Sequence, residues 1–269
     1  MIPILFTFIA LDWFTNNNKK EVNNVIKNDN DNQFSFSGMK YQDYKITDNL
    51  IKIKLQIEES NIIKSTAYID DGGTPTIGIG IVSIYNNNLK LVRTTKKGDT
   101  LVSISKEIGL GLSDNRSIAY QLVRNYFNAN VKNGNLIKVY KDLDNLNIPY
   151  FEELAEALSD FYFNSGSAYS TNSYKQFLID VQSAKNIGSV IQRKQILANS
   201  YWKYRLSYLQ SWSAIIYGSW LRRTQIFSDR INGDLTMDNI KSWKLYNTSS
   251  KVDIYTKGKY QYKRTKPLK

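Results

Sequence analysis

The chain contains no histidine and no cysteine. Without cysteine, a disulfide framework, a thiolate zinc site and a cysteine nucleophile are all excluded. Without histidine, the Ser/His/Asp triad, the usual catalytic imidazole and most transition-metal sites go as well. Acid and base work is left to carboxylates, lysines and tyrosines, so an enzyme built on this chain is most naturally a carboxylate enzyme. Long hydrophobic runs are missing too. None approaches the roughly 20 apolar residues that span a bilayer, which excludes a polytopic membrane protein. The opening stretch IPILFTFIAL is the most apolar, but it lacks the basic start and small-residue cleavage site of an export signal. It reads as a buried or partner-facing segment.

What the chain does have is length, aromatics and positive charge. Its 269 residues can bury a sizeable core, and 42% hydrophobic with 13% aromatic content is that of a globular protein. The net charge of +12 points to a polyanionic partner: nucleic acid, an anionic membrane or an anionic wall polymer. Residues 230–269 hold ten lysines and arginines against three aspartates, a surplus of +7 and more than half the total. Tyr255, Tyr260 and Tyr262 in this stretch could add stacking for nucleic acid, but a solvated basic end is the simpler reading. No nucleic-acid partner is expected.

Composition divides the chain. Residues 15–32 are almost wholly Asn, Asp and Lys, which favour turns and cannot bury a core. We take 1–46 as an N-terminal extension and linker with a possible docking segment, 47–235 as the main domain and 236–269 as a basic tail. Thr47-Asp48 can cap a helix through Leu50, Ile53 and Ile57, although Ile51, Ile53, Leu55 and Ile57 also alternate as a strand would. Between 66 and 92, β-branched pieces divided by Gly72-Gly73 and by Asn86-Asn87-Asn88 predict a small antiparallel sheet. Helices are expected after Ser113 and Pro149, from Tyr174 to about Ile179, from about Ile187 to Ser211, and around 221–231. The fold class is α+β, a small β-hairpin lobe and a larger helical lobe with a cleft between them.

The stretch Asp70-Asp71-Gly72-Gly73-Thr74-Pro75-Thr76-Ile77-Gly78-Ile79-Gly80 is by itself a hairpin signal. Upstream stands Ile57-Glu58-Glu59-Ser60, so a carboxylate at a helix end precedes a carboxylate in a turn and then a hydroxyl. Glycoside hydrolysis uses such a set: one carboxylic acid protonates the leaving oxygen, and one carboxylate activates water or attacks. At these residues the chain resembles the phage-type lysozymes, glycoside hydrolase family 24. The resemblance continues in order through Leu158-Ser159-Asp160-Phe161-Tyr162-Phe163-Asn164-Ser165-Gly166, then Thr171-Asn172-Ser173. It closes on Trp212 and Tyr217-Gly218-Ser219-Trp220-Leu221-Arg222-Arg223. Three positions depart from the family pattern. Ten residues separate Glu59 from Asp70, two more than the family has; Ser60 replaces a glycine and Ile81 a histidine. Residues 96–109, KKGDTLVSISKEIG, look like the start of a LysM glycan-binding module. We read them as the family's own segment before its next helix.

The resemblance implies a lysozyme-like fold and a muramidase that cleaves the β-1,4 bond between N-acetylmuramic acid and N-acetylglucosamine in peptidoglycan, with inversion. Glu59 would be the general acid, kept protonated by apolar neighbours such as Ile57 and Ile62. Asp70 would be the base toward a water held by Thr76. Tyr68, Val82, Phe163, Asn164, Ser173 and Trp212 would bind substrate, and no metal or organic cofactor is required. The implied setting is a phage endolysin in the host cytoplasm before lysis, or an enzyme carried in the virion and docked to other virion proteins through the N-terminal extension. The alternative is a lysozyme-fold wall-binding or structural virion component without activity. Deleting residues 247–269 is expected to weaken sedimentation with intact cell walls at low salt, because long-range attraction is lost, while hydrolysis of short soluble muropeptides stays unchanged.

Overall fold

Thr47 starts the first helix: its side-chain oxygen accepts from the Leu50 N–H at 3.3 Å and its carbonyl from the Ile51 N–H. The computed structural model describes residues 38–57, 62–70, 73–165, 172–208 and 217–243. Helix α1 spans Asp48–Ile57. Leu50, Ile51, Ile53, Lys54 and Leu55 are all buried, which a strand with one wet face would not allow. The helix is sheathed on most sides, and that resolves the ambiguous periodicity.

The expected single sheet is instead two separate hairpins. Strand β1 (Lys64–Ile69) pairs antiparallel with β2 (Pro75–Gly78), and β3 (Ser83–Tyr85) with β4 (Leu91–Thr94). The glycine-spaced run makes the difference. Gly78 and Gly80 sit at φ +66° and +74°, conformations that fold the chain back. Ile77 and Ile81 then exchange both backbone hydrogen bonds, at 3.0 and 2.9 Å, across a tight turn.

Helix α2 (Leu101–Glu107) opens with a reciprocal capping box between Thr100 and Ser103. Helix α3 (Asn115–Asn133) is capped by Asp114, one residue after the expected Ser113. Then follow α4 (Asn135–Asn145), α5 (Glu152–Ser165), α6 (Asn172–Gln182), α7 (Val190–Tyr208) and α8 (Tyr217–Asn232). Helices α2 and α4 were not anticipated as helices, although Leu136, Val139, Tyr140 and Leu143 form a complete buried stripe at helical spacing. Residues 96–109 lead into α3, whose Ile118, Ala119, Leu122, Val123 and Phe127 lie in the main core. They are part of the body and not a separate module. Helix α7 packs on α6 and α8, α5 on α7 and α8, and α3 on β3 and α4.

Packing passes both expected boundaries of the main domain. Tyr41 is buried, donates its hydroxyl to Pro149 O at 2.8 Å, and is held with Gln42 by the Asp144 carboxylate. At the other end Leu235 and Ile240 are buried, and Trp243 Nε1 donates to Asp229 at 3.1 Å. The fold is α+β and mostly helical. Among the described residues no helix is long and apolar enough to cross a membrane.

Gly78 joins the hairpins to the helices. A Cβ there would come within 3.3 Å of Ala119 Cβ and 3.4 Å of Leu101 Cδ2, on a backbone at φ +66°. Gly78→Ala is expected to cost about 1–3 kcal/mol of stability through strain and crowding together, measured by urea unfolding.

Candidate functional site

The first hairpin is organised by the backbone of one residue, Thr74. Its N–H donates to Asp70 Oδ1 at 2.8 Å, and its carbonyl accepts from the Asp70 N–H at 3.0 Å and from the Thr76 hydroxyl at 2.9 Å. Pro75 follows, and a proline biases the residue before it toward extended backbone, so the sequence favours this arrangement. Asp70, just past the end of β1, and Thr76, on β2, are therefore tied to one hub. Tyr68 lies directly across from Thr76 in the ladder, and Ile69 across from Pro75.

The helical body holds a buried ionic cluster. Asp160 on α5 is completely buried and binds Lys54 Nζ of α1 at 2.6 Å, Arg205 Nη1 of α7 at 2.8 Å and Arg223 Nη1 of α8 at 3.6 Å. Burial alone would raise the Asp160 pKa. The Lys54 ammonium and the Arg205 and Arg223 guanidiniums outweigh it and hold the group well below the ordinary carboxylate range. Arg205 also donates to the Tyr201 hydroxyl at 2.5 Å. Among the described residues its Nε and Nη2 have no hydrogen-bond partner, and aromatic faces take their place. The guanidinium lies 4.8 Å from the Trp220 ring centroid, 5.4 Å from Phe161 and 5.9 Å from Tyr201.

One helical turn before Asp160, Glu156 is equally buried but has one cation. Arg230 Nε donates to it at 2.9 Å and Thr47 Oγ1 at 3.3 Å. Here burial wins over Arg230 and raises the pKa. Two carboxylates on one helix face are thus shifted in opposite directions by the number of cations each meets.

Phe163 links this cluster to the hairpins. Lys54 Nζ stands 4.6 Å from its ring centroid, Phe127 stacks on it at 5.1 Å and Tyr126 meets it edge-on at 4.6 Å. Its Cε1 lies 4.0 Å from where a Cβ on Gly80 would stand. The ring is a joint between α1, α3, α5 and the turn after β2.

The remaining expected site residues are placed as follows. Val82 is half-buried, and its carbonyl accepts from the Thr95 N–H at 2.7 Å. Ser173 is half-buried in the first turn of α6 and makes no side-chain hydrogen bond among the described residues. Glu59, Trp212 and the Asn164 side chain lie outside the described residues, as do Glu58, Ser60, Asp71 and the tail from residue 244. Helix α1 ends at Ile57, immediately before the Glu58-Glu59 pair. Ile62 is 54% exposed, so it offers little of the apolar shelter expected of it. The structure brings together Tyr68, Asp70 and Thr76 on one hairpin and places Phe163 beside the turn that follows it.

No family model and no curated protein matches the chain. Among the described residues no group of three or more acidic side chains gathers as metal ligands would. Reasoning from sequence missed the cluster around Asp160. Its signals were single polar residues in apolar surroundings: Lys54 between Ile53 and Leu55, and Asp160 before Phe161.

Opposite shifts give opposite pH trends. The stability that Asp160 contributes is present above the unfolded carboxylate pKa of about 4 and is lost as pH falls toward its lowered folded pKa. Glu156 costs stability at neutral pH and is relieved as pH falls through its raised folded pKa. Asp160→Asn is expected to cost about 3–5 kcal/mol at neutral pH and less in acid. Glu156→Gln should compare best with wild type at neutral pH and lose ground on acidification, with urea unfolding across pH as the measurement.

Proposed function

We propose that the chain is a lysozyme-like peptidoglycan hydrolase acting on the β-1,4 bond between N-acetylmuramic acid and N-acetylglucosamine. The observation that carries this reading is the common anchoring of Asp70 and Thr76 on the Thr74 backbone, in a hairpin that follows a helix leading directly into Glu58-Glu59. In this reading Glu59 gives a proton to the glycosidic oxygen while Asp70 takes one from an attacking water. Atoms balance as the addition of one water across the bond, with inversion at the anomeric carbon. The Thr76 hydroxyl already donates to Thr74 O, so its role toward that water is as an acceptor. Tyr68, Val82, Phe163, Asn164, Ser173 and Trp212 are the candidate glycan contacts. Of these, Phe163 has a packing role in the described structure as well. The surplus of positive charge suits an anionic wall.

One observation favours the second reading, a lysozyme-like wall-binding or structural component without activity. Thr76 is only 2% exposed, which restricts water at the position where the chemistry needs it. The same assay separates the two: the purified protein either clears a peptidoglycan suspension and releases new reducing ends, or binds walls without doing so.

If the hydrolase reading holds, Glu59→Gln abolishes lysis with little change in stability and Glu58→Gln is mild. Asp70→Asn lowers the rate by about two orders of magnitude or more. Asp71→Asn stays near wild type, because in this reading Asp70 alone takes the proton. Equal effects of the two aspartate changes would remove Asp70 from the role of base.

A further inference from the structure

Strand β1 has an irregular partnership with β2. Lys64 pairs with Gly78 and Tyr68 with Thr76, but the register shifts between Lys64 and Tyr68. In that interval β1 is held from its other edge. The Ala67 N–H donates to Asp99 O at 2.8 Å, and Thr66 forms an isolated antiparallel bridge with Thr100. The strand that delivers Asp70, three residues on, is therefore aimed by the turn 96–100 as much as by β2.

That turn is closed by Arg93 of β4. Its Nε donates to Glu107 Oε1 at 2.8 Å and Oε2 at 3.2 Å, and its Nη2 to Glu107 Oε2 at 2.6 Å. On the other side Nη1 reaches Asp99 Oδ2 at 2.7 Å and Nη2 reaches Asp99 Oδ1 at 3.1 Å. Asp99 also accepts from the Lys96 N–H at 2.7 Å. The guanidinium lets both carboxylates stay ionised side by side. Hydrogen bonding to it lowers the Glu107 pKa, and it overcomes the burial of Asp99 to lower that one too. A single exposed ion pair carries little stability, but a planar fork gripping two carboxylates fixes direction. Arg93 is only 20% exposed. The Asp99 that it orients is the residue whose carbonyl holds Ala67.

We propose that Arg93 is a positioning residue: through Asp99 it sets the course of β1 and thereby the placement of Asp70 and Thr76. The consequence for catalysis rests on the hydrolase reading. The bracing of β1 does not. Neither Asp99 nor Glu107 faces the reacting atoms in this account, and the guanidinium acts on them through the backbone of β1.

The test uses the full chain with Arg93→Met and Arg93→Lys. In Arg93→Met, amide hydrogen exchange at Ala67 and Asp70 is expected to speed up by about tenfold or more, while exchange in α7 and α8 is unchanged. On short soluble muropeptides kcat should fall by about tenfold with KM within about twofold, as misplacement of a reacting group predicts. Arg93→Lys should recover part of both effects, since an ammonium keeps the charge but not the fork. Glu107→Gln, which removes half of the grip at the surface, should move both readouts the same way by less, and it serves if Arg93→Met does not fold. Unchanged exchange at Ala67, or loss of protection throughout the helices, overturns the proposal. Faster exchange with unchanged kcat overturns the positioning role and leaves only a structural one. If the wild-type chain hydrolyses no peptidoglycan, the hydrolase reading and the catalytic consequence fail together, and exchange alone decides whether Arg93 aims β1.

Discussion

A single buried carboxylate governs how the helices meet. Asp160 lies inside the helical body and is reached by cations from α1, α7 and α8. Removing a carboxylate from water is costly, and only several well-placed cations with hydrogen bonds make it tolerable. The arrangement therefore has few alternatives: a rotation of α1, α7 or α8 that withdrew its cation would leave charge buried with less compensation. Lys54 is one turn from the end of α1, Arg205 one turn from the end of α7 and Trp220 one turn into α8. The last turns of α1 and α7 and the first two turns of α8 thus meet α5 around this carboxylate. The Trp220 indole seals the junction by donating to Arg205 O at 3.0 Å.

The hairpins are attached to that body through compact contacts. Gly78 lets β2 approach α3 closely, the Ile77–Ile81 turn separates the two hairpins, and Phe163 stands between the turn at Gly80 and Lys54. One aromatic side chain thus connects the ionic cluster to the turn that follows the strand carrying Thr76. The outer side of β1 is secured independently, by the turn that ends in Thr100. The segment bearing Asp70 is consequently constrained from both edges while its own carboxylate is organised locally by Thr74.

The electrostatics carry a caution about reading chemistry from pKa shifts. A raised and a lowered carboxylate close together are the usual mark of an acid and base pair, and Glu156 with Asp160 fits that pattern by direction alone. Both are fully buried in the helical body. Their shifts report the balance between desolvation and the cations that fold with them, and they cannot meet a glycan. Asp70, which the proposed reaction uses, is set apart by its geometry: a carboxylate anchored at the head of a hairpin.

Much of the local structure was legible in the sequence because its causes are local. The cap at Thr47, the turns at Gly73 and at Asn86-Asn87-Asn88, the Thr74-Pro75 step and most of the helical stripes follow from neighbours a few residues apart. Composition alone excluded imidazole and thiolate chemistry. Helix α4 shows that a legible stripe can still be overlooked. The pairing of β1 with Asp99 and Thr100 and the cluster of Lys54, Asp160, Arg205 and Arg223 depend instead on residues tens to well over a hundred positions apart. A lone lysine or aspartate in an apolar helix does not name its partner. Only the packing of four helices around one carboxylate decides which charges meet, because the cost of burying each one depends on which others arrive.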